Sequence, residues 1–89
     1  MRRWQELGPT AKEAVQAGAK VAGIRPDEVM IPGRWKQQII ARRHAMVFLR
    51  EAGWSTTQIA RVWGLDHSTV VHHLQVANRA RIAQDKQDG

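Results

Sequence analysis

The sequence predicts an all-α chain, a small helical domain built around a helix-turn-helix. Three observations carry this. Ser55 followed by Gln58 has the capping-box pattern that opens a helix at Thr56. Gly64 and Asp66 then pair a left-handed stop with an N-cap, so a second helix follows at once. Elsewhere, apolar residues recur at helical spacing.

In chain order, residues 1–9 read as a flexible arm ended by Gly8-Pro9, with Trp4 able to dock on the domain. Thr10 and Glu13 suggest another capping box, for a helix running to about Ala22. Its face of Ala11, Ala14, Val15, Gly18 and Ala22 is small enough for a close helix neighbour. Pro26 to Met30 reads as a short helix with proline first and two acids in its first turn. Gly33 to Gln37 reads as an exposed basic loop around Trp35. The longest helix is expected from Gln37 to Ala52, burying Ala41, Ala45, Phe48, Leu49 and Ala52 and turning Arg42, Arg43, Met46 and Arg50 elsewhere. Ile59, Ala60 and Trp63 mark the first helix of the motif, and Val70, Leu74 and Ala77 the buried stripe of the second. Ala60 lets the two helices approach, and Val70 fills the angle between them. The domain is expected over 10–82, with 83–89 a polar, frayed tail.

Eighty-nine residues allow one small domain with a modest core. The absence of cysteine excludes disulfides and cysteine-ligated zinc or iron. With no apolar run of membrane-spanning length and no signal-peptide core, a cytoplasmic location is expected. Fourteen Lys and Arg against eight Asp and Glu give a formal net charge of +6, which favours a polyanionic partner. From Arg34 to Arg61 the cations Arg34, Lys36, Arg42, Arg43, Arg50 and Arg61 face one acid, Glu51. The charge thus gathers just before and within the motif, as an electrostatic footprint on phosphates requires.

A helix-turn-helix offers the first turn of its second helix to a DNA major groove. Here that turn displays Asp66, His67, Ser68 and Thr69. A carboxylate can accept from a cytosine amino group, and it can also simply cap its helix. The hydroxyls reach phosphates or base edges. Arginines suit bidentate guanine contacts or a narrow minor groove. His44, His67, His72 and His73 lack the spacing of a metal site, and no base with an orienting acid and oxyanion donors is evident, so neither metal, cofactor nor catalysis is expected.

Several segments together resemble a known family. Gly23-Ile24, Pro26 to Met30, the loop Gly33-Arg34-Trp35-Lys36, the helix start Ala41-Arg42-Arg43-His44-Ala45-Met46 and the run Asp66-His67-Ser68-Thr69-Val70 are similar to the C-terminal DNA-binding domain of the bacterial replication initiator DnaA. The resemblance implies a Trp-repressor-like helical fold standing alone without the family's ATPase module, since the chain has no Gly-x-x-x-x-Gly-Lys-[Ser/Thr] loop. It implies that Arg34 enters the minor groove, that Arg42 reaches a base, and that Asp66, His67, Ser68 and Thr69 read the major groove. Lys36, Arg43 and Arg50 fall at phosphates or groove edges, and Thr56 and Thr57, at the start of the first motif helix, complete the candidate set. Two features depart from the family. Gly64-Leu65 is shorter and lacks an arginine before Asp66, and Thr56-Thr57 replaces an apolar residue and proline. The target sequence therefore differs more readily than DNA binding itself.

The function expected is sequence-specific double-stranded DNA binding, in transcriptional regulation or a replication-associated role. The alternative is a helical protein-interaction module that kept the fold without DNA specificity.

Overall fold

The computed structural model describes residues 3–31, 33 and 35–88, with side chains through Ala80. Five helices follow a short 3-10 turn at Trp4–Glu6: α1 Pro9–Ala22, α2 Pro26–Met30, α3 Lys36–Glu51, α4 Thr56–Trp63 and α5 His67–Asp88. Among the described residues every regular element is helical.

α1 starts two residues earlier than a Thr10 cap would have it. Pro9 occupies its first position, where a fixed φ suits a helix and the missing N–H costs nothing. Gly8 takes the cap with no side-chain bond, so the box expected from Thr10 and Glu13 does not form. In the preceding segment, among the described residues, Trp4 and Leu7 pack on the domain. Leu7 is buried in the core, the Trp4 indole Nε1 donates to the Lys12 carbonyl at 3.4 Å, and the Lys12 ammonium sits 5.2 Å from the Trp4 ring centroid. At the other end α5 is helical through Asp88, and residues 79–88 hold neither glycine nor proline to stop it.

The core runs from α1 (Ala11, Ala14, Val15, Ala19) through α3 (Ala41, Ala45, Met46, Leu49) to α4 (Ile59, Ala60, Val62, Trp63) and Val70 of α5. The small residues of α1 let it lie directly on α3. A β-carbon at Gly18 would strike the Ala41 carbonyl oxygen. With few large side chains inside, Met46 and Leu49 matter more, each contributing roughly 1.5–3 kcal/mol by burial. Met46 was expected to point outward, but it is fully buried, while Ala52 is exposed and Phe48 only half-buried. The inward stripe of α3 is Gln38, Ala41, Ala45, Met46 and Leu49, with Ala41 against Gly18 of α1 and Gln38 bonded to the backbone at the end of α2.

The helix-turn-helix forms as its local signals direct. The Ser55 hydroxyl accepts from the Gln58 N–H at 3.2 Å and the Gln58 Oε1 accepts from the Ser55 N–H at 2.9 Å. Gly64 closes α4 at φ 67°, a left-handed conformation that a β-carbon disfavours. Ala60 and Val70 are both buried where the helices meet.

Candidate nucleic-acid interface

α5 begins at His67, and the Asp66 carbonyl accepts from the Thr69 and Val70 N–H groups at 3.1 and 3.4 Å. The buried Val70 seats this first turn against the domain, so the residues before it face out. Asp66, His67 and Ser68 are exposed and Thr69 is half-buried. The turn therefore presents a carboxylate, an imidazole and hydroxyls within one turn of helix. On α4, Thr57 is exposed and Thr56 half-buried, both in the first turn, where N–H groups favour anions.

The basic residues divide by what they already hold. Lys36 is exposed at the start of α3. Arg50 is exposed near its end, with Nη1 donating to the Trp54 carbonyl at 2.9 Å. Arg43 is half-buried and its Nε donates to Nδ1 of His73 on α5 at 3.2 Å. An accepting Nδ1 carries no proton, so this bond requires the neutral ring protonated at Nε2. Burial lowers the His73 pKa from its ordinary value, with further lowering by Arg43, His72 and Arg42.

Arg42 is placed differently from the rest. Its Nε donates to the Val29 carbonyl at 3.0 Å, its Nη1 to that of Gly33 at 3.2 Å, and its Nη2 to that of Ile31. Burial lowers its pKa below the ordinary arginine value. One turn earlier on α3, Gln38 is fully buried and its Nε2 donates to the carbonyls of Glu28 at 2.7 Å and Ile31 at 2.6 Å. The two side chains thus hold the backbone that leads into the basic loop. Arg34 itself, with Pro32, lies outside the described residues.

Gln38 and His73 were missed by sequence reasoning. Gln38 had a signal, a polar residue in phase with Ala41, Ala45 and Leu49 on an apolar stripe. His73 follows Asp66 by two helical turns, which places it on the same side of α5.

A family model for the bacterial dnaA protein helix-turn-helix matches residues 12–76. The chain belongs to this DnaA helix-turn-helix family. No curated protein and no solved structure matches it. The matched span begins in α1 and ends in α5, so it takes in the loop and both helices of the motif. The DnaA helix-turn-helix is a domain that binds double-stranded DNA and is not itself catalytic. Among the described residues no three His, Cys, Asp or Glu side chains gather where they could hold a metal ion, and no helix is long and apolar enough to cross a membrane.

Proposed function

We propose that this DnaA-family chain binds duplex DNA at a preferred sequence, as a transcriptional or replication-associated regulator working on the nucleoid in the cytoplasm. The observation that carries the reading is the start of α5, where Asp66, His67 and Ser68 are exposed and Thr69 half-buried, anchored from beneath by the buried Val70. In the docking of a helix-turn-helix this turn enters the major groove. Asp66 accepts from a cytosine amino group, His67 meets a thymine methyl or a base acceptor, and Ser68 and Thr69 contact base edges or phosphates. The basic loop supplies Arg34 to the minor groove. Lys36, Arg43 and Arg50 lie along α3, whose sixteen residues extend about 24 Å, and neutralise phosphates. Thr56 and Thr57 approach a phosphate at the start of α4. The chain acts by binding, without a catalytic group, metal or nucleotide of its own.

Selection of bound duplexes from a random pool tests this, followed by isotherms on a selected and a scrambled duplex across a salt series. A specific binder shows a recovered motif, a preference that survives added salt, and a steep salt slope.

A second reading has one observation in its favour. Val21, Ile40, Val47 and Phe48 line an open, largely apolar groove of about 400 Å³ away from the α5 first turn. A protein-interaction module would use such a surface, and the same isotherms would then show no preferred sequence.

A further inference from the structure

We propose that Arg42, backed by Gln38, is a positioning residue for the basic loop: it spreads its guanidinium over the carbonyls of Val29, Ile31 and Gly33 and so presents the loop arginine to DNA, and it does not read a base. The inference rests on the DNA-binding reading above for its consequence, but not for its geometry.

The loop's need for such a group follows from its backbone. The chain leaves a helix of only five residues at Met30 and reaches α3 at Lys36, and the described residues between them, Ile31, Gly33 and Trp35, lie outside any helix. Carbonyls at the end of a helix and in a loop must find donors elsewhere. Four of them, those of Glu28, Val29, Ile31 and Gly33, find donors on the two side chains Gln38 and Arg42. These lie one turn apart on one face of α3, so a rigid helix sets the path of the loop. Contact is close from the loop side as well. A β-carbon at Gly33 would lie 2.5 Å from the Gln38 Oε1.

The same bonds argue against base reading. A guanine contact needs two donors of the guanidinium fork presented together to O6 and N7. Three of the five guanidinium N–H groups of Arg42, one from each nitrogen, already donate to carbonyls and fix the plane of the fork over the loop backbone. Turning the fork to a base would take the Arg42 donor from the carbonyl of Gly33, the residue just before Arg34, and leave that of Ile31 to Gln38 alone. Hydrogen bonds from a charged donor are the costlier ones to give up. Gln38 has no exposed surface and cannot touch DNA at all, yet it serves the same stretch of backbone.

The test is a double-mutant cycle between Arg42→Lys and Arg34→Ala, read as affinity for a selected duplex. Lysine keeps the charge, but one ammonium cannot span three carbonyls. With Arg34 present, Arg42→Lys is expected to lower affinity about tenfold, the loss of one charge-assisted contact. In the Arg34→Ala background the same change is expected to cost less than about twofold, because the loop then has nothing to present. Gln38→Leu should show the same dependence on Arg34, and it serves as the test pair if Arg42→Lys does not fold. A base-reading arginine would instead cost the same factor in both backgrounds, and that result overturns the proposal.

A second readout needs no DNA. Amide order parameters of Gly33 and Trp35 in the free protein should fall from rigid toward flexible values in Arg42→Lys, with the rest of the domain unchanged. Unchanged order in the loop would also overturn the proposal. If the wild-type chain shows no preferred sequence, the DNA reading fails by itself, and the loop measurement still decides what Arg42 does.

Discussion

Arg43 and His73 stand thirty positions apart in the chain and are joined by a single hydrogen bond, Arg43 Nε to His73 Nδ1 at 3.2 Å. It ties α3 to α5. Because His73 must be neutral to accept, the link depends on pH. Its pKa in the folded protein is lowered from the ordinary value of 6.5, first by burial and then by Arg43, His72 and Arg42. The unfolded chain therefore binds a proton more readily than the folded one in this range, and stability rises with pH. The contribution is complete above 6.5 and is lost as pH falls from there through the lowered folded value.

Thermal melts across that range should accordingly show a stability loss on acidification that His73→Gln reduces. Glutamine offers Arg43 an acceptor oxygen and does not titrate. Equal pH dependence in the two proteins would show that the imidazole is not the group responsible.

Recognition and attraction should separate by mutation. His67→Ala is expected to cost about 1–3 kcal/mol on the best duplex and to relax base preference, with non-specific binding nearly unchanged. Arg50→Ala should weaken selected and scrambled duplexes together and lower the salt slope by about one. Isotherms at several salt concentrations measure both. If His67→Ala kept the full preference, the α5 first turn would not be the reading element.

Arg34→Ala is expected to weaken binding chiefly at sites with an A·T-rich flank, where a narrow minor groove concentrates negative potential. Comparing duplexes that differ only in that flank measures it. A uniform loss would make Arg34 a phosphate contact.

Gly18→Ala should destabilise the domain by about 1–3 kcal/mol, the usual cost of overpacking. The added methyl meets the Ala41 backbone carbonyl, which cannot swing aside as a flexible side chain would. Denaturant titration gives the loss.

The helix-turn-helix was legible because its signals are local. Ser55 with Gln58, Gly64 before Asp66, and the spacing of Ala60 and Val70 each act within a turn or two of the chain. The missed features depend on partners distant in sequence. Thr10 lost its capping role to Gly8, because the ring of Pro9 favours the first helical position. Met46 turned inward because α3 is covered by more than one neighbouring helix, which widens its buried stripe beyond what periodicity alone reveals. Leu7 joined the core through a turn too short to show a period. For Arg42, the arginine was visible and its partners were not. Backbone carbonyls carry no mark in a sequence, so a side chain that braces a loop looks the same as one that reaches for a base.

No connection between the five helices is longer than residues 31–35. Each helix is thus followed almost at once by the next, and little chain entropy is spent closing long loops before packing begins. Such topologies fold in microseconds to milliseconds. After a denaturant jump the tryptophan signal should return on that timescale in a single phase, with little time spent in half-collapsed forms that stick to one another.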